Sequence, residues 1–456
     1  MQAPWKLVVE DLGRIARAEI EARPLLLFVG GNNTGKTYLA SLLWGLTSLS
    51  GELPVARGEA YERCVAWLED RFARREQEPA FEVTPEVHAA LVQIVNETLR
   101  EQGAALAART FNRPSFEIGK IELREVASRG QVSMRWGRTE EQGRSIPLLS
   151  VRGAHIDYAL PAQEGSRRAS AIGLLAKSHV LGAFGGIRAV FPVASPGFGR
   201  LGPVFLPASR TGFMLLYRSL AQQLVGDVLI KTGASPQPVP DLTAPVIDFL
   251  RLLVGLRDDQ GSYPEEAALL ERAMGGRLAL RSGVGLNEVV YEPAGGEASL
   301  PMELSSSLVT ELAPVVLTLR HVSGYNVLVI EEPEAHLHPK LQRKLAQVIV
   351  RLVRKGLRVW ITTHSENFCQ QINNFMKLGA HPRRAEMQHK HGYEAMDYLE
   401  ADDVAGYQFE ADPSSGRTRV TEMEKTESGL VMPTFNRELA ALTDEAMDLD
   451  PTEGEE

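Results

Sequence analysis

The apolar positions of this chain recur with two periods, and the changes between them mark its elements. Residues 6–23 alternate around Asp11-Leu12-Gly13, which predicts two short strands joined by a turn. Leu25-Leu26-Leu27-Phe28-Val29 is apolar throughout, as in a strand covered on both faces. A glycine-rich stretch follows, then a helix from Tyr38 to about residue 49. Residues 57–77 and 85–108 read as amphipathic, heavily charged helices that include Glu69-Asp70-Arg71 and Arg74-Arg75-Glu76. From 115 to 160 the period shortens to two, as in Phe116-Glu117-Ile118-Gly119-Lys120-Ile121-Glu122-Leu123, and predicts strands. Helices return at 165–182, 211–231, 243–255 and 264–274, and strand-like pieces at 277–281, 288–292 and 299–303. Val327-Leu328-Val329-Ile330 and Val359-Trp360-Ile361 are two further core strands. Neither an internal repeat nor a sustained heptad array is present.

The glycine-rich stretch brings in chemistry. Gly30-Gly31-Asn32-Asn33-Thr34-Gly35-Lys36-Thr37 is a G-x-x-x-x-G-K-T phosphate cradle between a strand and a helix, rather than an ordinary strand-to-helix turn. Gly30 and Gly35 permit backbone angles that let the successive N–H groups of this loop, from Gly31 through Thr34, converge on an anion. The helix starting near Lys36 adds the positive end of its dipole. Lys36 supplies a point charge for β and γ phosphates, and the Thr37 hydroxyl is a ligand for Mg²⁺.

Downstream, Val327-Leu328-Val329-Ile330-Glu331-Glu332 delivers paired carboxylates at the end of a strand, the edge where ligands sit in parallel sheets. Glu331 is placed near Mg²⁺ through water, and Glu332 polarises the water that attacks a γ-phosphate. Arg358-Val359-Trp360-Ile361-Thr362-Thr363-His364-Ser365 ends a second strand in polar groups, and His364 is positioned to sense that phosphate and that water. Between these motifs Leu304-Ser305-Ser306-Ser307 opens a helix with Ser305 as its N-cap and Glu311 as an exposed acid. The hydroxyls and N–H groups of Ser305 and Ser306 make a second candidate anion site.

Composition narrows the setting. The chain has 456 residues, 44% of them hydrophobic, so it holds a sizeable core and two or three domains, or one with an insertion. A formal net charge of −9 gives no bulk basic surface for nucleic acid, although a local patch is compatible with it. Cys64 and Cys369 stand alone, which argues against a zinc or disulfide framework and for a reducing compartment. A signal layout and a long apolar span are both missing, so a cytoplasmic protein without a membrane segment is expected. The cluster His381, Arg383, Arg384, His389, Lys390 and His391 reads as a solvated basic loop, with nucleic-acid phosphate favoured over zinc as any ligand.

Together these motifs resemble the ABC-type ATPases of the SMC–Rad50–RecF group. The nearer likeness is to the branch holding the ATPase halves of overcoming-lysogenization-defect (OLD) nucleases and related phage-defence ATPases. Asn32 and Asn33 match that branch's Gly-x-Asn-Asn-Thr-Gly-Lys loop. Glu331-Glu332-Pro333-Glu334-Ala335-His336-Leu337-His338-Pro339 resembles its Walker B and D-loop, Thr362-Thr363-His364-Ser365 its His switch, and Leu304-Ser305-Ser306-Ser307 its signature motif. Two residues depart from the wider pattern: Ser307 stands where Gly is usual, and Glu331 replaces Asp. Leu206-Pro207-Ala208-Ser209-Arg210 is the candidate Q-loop, in which Arg210 is either structural or near phosphate.

The resemblance implies an α/β P-loop NTPase fold of ABC type, with a mixed sheet and a helical subdomain. Residues 1–50 and 200–435 would form the ATPase core, 51–199 an α+β insertion lobe carrying a partner or nucleic-acid surface, and 436–456 an acidic, disordered tail. It implies ATP and Mg²⁺ as cofactors and a C₂ ATP-sandwich dimer, or a higher homo-oligomer, in which Ser305 and Ser306 meet the ATP of another subunit. Anti-phage defence with a separately encoded effector, a nuclease, is the implied role. A DNA-repair or chromosome-handling ATPase that clamps DNA, and an ATP-locked scaffold with negligible turnover, are the alternatives. Glu400, Asp402 and Asp403 sit in a strand-like segment that lacks the Gly-rich context of a Toprim domain, so no Toprim nuclease is expected within these residues.

Overall fold

A nine-stranded mixed sheet forms the centre of the molecule. The structure is a computed structural model that describes residues 5–49, 53–124, 133–141, 144–152, 157–161, 172–173, 175–177, 180, 202–219, 242–282, 287–296, 298–427 and 429–449. The chain opens with β1 (Lys6–Leu12), β2 (Ile15–Glu21) and β3 (Leu25–Gly30), then α1 (Lys36–Ser48). Helices α2 (Glu59–Ala73) and α3 (Pro85–Phe111) flank the short β4 (Ala80–Glu82) and lead to β5 (Lys120–Arg124). Strands β6 (Ser133–Glu141), β7 (Arg144–Arg152) and β8 (Asp157–Pro161) join β4 in an antiparallel sheet of their own. Then come β9 (Pro203–Leu206), α4 (Ala244–Val254), α5 (Pro264–Met274), the antiparallel trio β10 (Gly276–Arg281), β11 (Glu288–Pro293) and β12 (Leu300–Pro301), and α6 (Ser307–His321). The last section alternates: β13 (Val327–Glu331), α7 (Pro339–Arg354), β14 (Arg358–Thr363), α8 (Glu366–Ala380), α9 (Arg384–His391), β15 (Val404–Ala411), β16 (Thr418–Glu422) and α10 (Pro433–Asp448).

The order of the large sheet is β5-β1-β2-β16-β15-β3-β14-β13-β9. From β15 to β9 every neighbouring pair is parallel, and this half carries the continuous apolar runs. Such strands need cover on both faces, and they have it. Leu26, Phe28, Val329 and Trp360 pack toward Leu39, Trp44, Leu91 and Ile94. Leu25, Leu27, Ile330 and Ile361 pack the other way, toward Leu312, Val316, Ile349 and Phe375. The class is α/β with a mixed sheet, and the phosphate loop lies at the C-terminal edge of the parallel half. No helix among the described residues is long and apolar enough to cross a membrane.

Four expectations change. The described residues from 53 to 124, expected in a separate lobe, are joined to the core: β5 pairs with β1 in register over Lys6–Glu10, and α2 and α3 bury Cys64, Leu91 and Ile94 in the same cluster as Phe28. Among the described residues of 51–199, the sheet of β4 and β6–β8 is the part that stands outside the main sheet. The tail expected to be disordered from 436 is helical through Asp448, because Pro433 sets the first turn and helix formers such as Glu438, Leu439, Ala440 and Ala441 follow; residues 450–456 lie outside the described residues. The basic segment expected as a loop folds as α9. Asp402 and Asp403 occupy a 3₁₀ turn capped by Glu400, not a strand. The helices expected at 165–182 and 211–231 fall partly outside the described residues, although 210–219 is helical.

Candidate functional site

Strand β3 ends at Gly30 and α1 begins at Lys36, so the cradle is the turn between them. Gly30 has φ 153°, and a Cβ there would lie 2.3 Å from the Phe409 carbonyl oxygen of β15. Gly35 has φ 96°, and a Cβ would meet Ile15 at 2.9 Å. Both positions therefore exclude a side chain. Asn33, at φ 60°, is a residue type that tolerates the left-handed region. Thr34 Oγ1 donates to the Gly31 carbonyl at 2.9 Å, while Gly31, Asn32 and Asn33 stay exposed at the mouth.

Lys36 is 5% exposed, and its Nζ donates to the carbonyls of Gly30 at 2.9 Å and Gly31 at 2.7 Å. Burial lowers its pKa to about 8, against the attraction of Glu332, Glu334 and Glu331. Three carboxylates and one ammonium thus share one locus, which is the charge pattern a metal–polyphosphate complex completes.

Glu331 ends β13 and is buried. Its carboxylate accepts from the Thr37 hydroxyl and from Ala208 N–H at 3.1 Å, and burial holds its pKa above the usual carboxylate range. Its Oε1 has no partner among the described residues. An orphaned carboxylate oxygen beside a threonine hydroxyl is an all-oxygen donor pair, and it fits Mg²⁺.

Successive side chains of a strand point to opposite faces, so Glu331 and Glu332 should diverge. They do not, because Glu332 adopts φ 44° and anchors its N–H on the Thr362 carbonyl at 2.8 Å. A left-handed glutamate is strained by about 1–2 kcal/mol, and such strain collects at functional sites. His364 Nε2 lies 3.4 Å from Glu332 Oε1. The hydrogen bond with His364 holds Glu332 below the usual carboxylate range, which favours its charged form.

Glu334 is a working residue that the motif reading named without a role. Its Oε1 accepts from Thr363 Oγ1 at 2.8 Å and from His364 N–H at 2.7 Å, fixing the turn that presents His364. Its signal was present as the third acid of Glu331-Glu332-Pro333-Glu334. Ser365 then caps α8 by accepting from Phe368 N–H at 3.1 Å.

The structure makes Arg210 structural. It is 1% exposed, with Nη1 donating to the Glu331 carbonyl at 2.5 Å and Nη2 to the Glu332 carbonyl at 3.0 Å. Nε reaches the Glu311 carbonyl at 3.3 Å, and the guanidinium pairs with the Glu311 carboxylate. Glu311, expected on the surface, is 1% exposed and also accepts from the Thr211 hydroxyl. A buried carboxylate stays charged when an opposite charge meets it, and Arg210 supplies that charge to Glu311. The pair ties the carboxylate turn directly to α6.

At the start of α6 the N-cap is Ser306, one residue beyond the expected Ser305. Ser306 makes no side-chain capping bond, and Ser305 Oγ bonds the Pro301 carbonyl at 3.1 Å. Leu304 beside them is 71% exposed. No hydrogen bond or ion pair among the described residues joins Ser305 or Ser306 to the phosphate loop, Glu332 or His364. The site thus gathers Gly30–Thr37, Glu331, Glu332 and His364, and leaves aside the half-buried Ser305 and the exposed Ser306.

Residues 261–369 match the AAA ATPase domain family, a span that includes Ser305, Ser306, Glu331, Glu332 and His364. No curated protein matches the chain. Among solved structures, the SMC head domain from Thermotoga maritima is similar over 93% of this chain and all of its own, at 10% identity and TM-score 0.32. An Smc head domain with an extended coiled coil, bound to the C-terminal domain of ScpA and derived from Pyrococcus furiosus, is similar over 98% of this chain and all of its own, at 12% identity and TM-score 0.37. Likenesses this slight assign no residue, and the chemistry of the site stands on its own geometry.

Proposed function

We propose that this chain binds ATP with Mg²⁺, hydrolyses it, and uses the bound nucleotide to pair with a second copy of itself. The observation that carries the reading is the convergence of Lys36, Thr37, Glu331, Glu332 and His364 on one sheet edge. Lys36 leaves the Gly30 and Gly31 carbonyls for the β and γ phosphates, and the loop N–H groups hold their oxygens. Thr37 and Glu331 would hold Mg²⁺, which when bound neutralises charge on the β and γ oxygens. Glu332 orients water in line with the γ-phosphorus, and His364 fixes that carboxylate. Water adds at phosphorus as the bond to the β–γ bridging oxygen breaks, leaving ADP and phosphate.

The open start of α6 supports pairing: its first turn has uncapped backbone N–H groups and Ser306 an unengaged hydroxyl, both suited to the γ-phosphate of another copy. The role that follows from the sequence resemblance is an ATP-gated subunit acting on a separately encoded nuclease in anti-phage defence, with the Asn32-Asn33 loop as its support. Glu332→Gln should trap an ATP-bound dimer and cut turnover about 100-fold or more, whereas Lys36→Ala should stay monomeric. Light scattering with ATP at micromolar protein reads both, and a Glu332→Gln protein that remains a monomer defeats the pairing.

A further inference from the structure

The basic cluster of the sequence divides in the folded molecule. Arg383 and Arg384 are neutralised, the first by Glu386 and the second by Glu400. His381 and His391 instead line a cavity of about 340 Å³ between α7, α8 and α9, together with Arg343 of α7, Lys377 of α8, and Tyr393. Leu378 and Met387 give it apolar wall, and no carboxylate lines it.

The cationic groups are positioned and available. Gln371, 2% exposed, accepts from Arg343 Nε at 3.0 Å and donates to the Tyr393 hydroxyl at 3.0 Å, so one buried amide sets both side chains. That leaves the Nη groups of Arg343 without a partner among the described residues, and Lys377 has none there either. His381 Nδ1 accepts from Arg383 N–H at 3.0 Å, which puts the proton of the neutral ring on Nε2 as a donor. Tyr393 packs at 5.1 Å from Phe375 and 6.3 Å from His391, a rigid aromatic surface beside the cations. A volume of 340 Å³ is that of a small-ligand site, near the lower end of the usual range of about 300–1,000 Å³. Metal is a poor occupant, since no group of three His, Cys, Asp or Glu among the described residues could hold one.

We propose that this cavity is a second phosphate site, separate from the ATP cradle, that takes a nucleotide phosphate ester with its phosphate on Arg343, Lys377 and His381 and its base against Tyr393. Arginine and lysine with no competing acid favour phosphate, and an aromatic face beside them favours a base over a bare anion. A free nucleotide and one unit of a nucleic-acid strand present the same chemistry to the cavity, and the probes separate the two sources.

The test uses the full chain carrying Lys36→Ala, which silences the phosphate loop. AMP titrated by calorimetry and a fluorescein-labelled dT20 followed by anisotropy are the two probes. AMP alone binding identifies a free nucleotide, and dT20 binding with a steep salt dependence identifies a strand; either supports the site if Arg343→Gln with Lys377→Gln weakens it at least tenfold. Tyr393→Leu should weaken AMP several-fold while leaving inorganic phosphate unchanged, a split that loss of folding would not produce. The proposal is overturned if neither probe binds at millimolar AMP and micromolar dT20, or if binding survives Arg343→Gln with Lys377→Gln undiminished.

Discussion

The N-terminus of α1 and the N-terminus of α6 are the two phosphate contacts of the proposed function, yet they are built differently. At α1 the loop is closed within the chain: Gly30 lies against Phe409, Lys36 is buried on two carbonyls, and Thr37 is engaged by Glu331. At α6 Ser306 caps without a side-chain bond, and Leu304 is exposed beside it. The first end is complete in one molecule; the second has unsatisfied donors and an uncovered apolar neighbour. On the pairing proposed above, the first end is complete within one copy and the second would meet the nucleotide of another. Between the two ends runs Arg210, the sole described side chain bonded to both Glu331 and Glu311, so the closed end and the open end are mechanically joined.

The largest effect should come from breaking that joint. Arg210→Met strands the buried Glu311 carboxylate and should cost about 3–5 kcal/mol, read by urea unfolding. Adding Glu311→Leu should recover most of the loss, and a double-mutant cycle showing no coupling would refute the clasp. Next, Lys36→Ala should weaken ATP about 100-fold or more by removing charge-assisted bonds to two phosphates, with stability largely kept. Equal loss in an ATP analogue lacking the γ-phosphate would show that Lys36 serves the β-phosphate alone.

The third prediction concerns pH. In the nucleotide-free protein Lys36 loses its proton at about 8, below its ordinary 10.5. Phosphate needs the charged form, so affinity is intact below about 8 and should fall up to tenfold per pH unit above it, until the bound-state value is passed. Binding should take up a proton in that window, which calorimetry in buffers of different ionisation heat detects. A flat profile from pH 8 to 10 would mean that Lys36 stays charged. The smallest effect belongs to the open end: Ser305→Ala with Ser306→Ala should leave monomeric ATP affinity unchanged and weaken ATP-dependent pairing by roughly fivefold at each of the two equivalent sites, the worth of about one neutral hydrogen bond apiece. If monomer affinity falls instead, the serines act within their own subunit.

The cradle was legible because its signals are local. A strand, two glycines at fixed spacing and a helix can be read from adjacent residues, and so can paired acids at the end of an apolar run. Glu334 was in plain sight in the same motif, but its partners Thr363 and His364 arrive on a different strand. Glu311 was misjudged because a helical acid with no sequence neighbour of opposite charge looks solvated, and Arg210 reaches it from 101 residues away. Likewise β5 looked like part of a separate lobe because its alternation fits an edge strand of any sheet, and pairing with β1 decided which.

The glycine loop between β3 and α1, the carboxylate strand, the His364 strand and the α/β class are written in adjacent residues, since apolar period and glycine stereochemistry act over a few residues. Tertiary structure alone decided that Glu332 turns left-handed to face the loop, that Arg210 and Glu311 bury together, and that His381 and His391 share a cavity with Arg343 and Lys377. The reason is physical: the energy of a charge depends on what surrounds it, and its surroundings come from segments far apart along the chain.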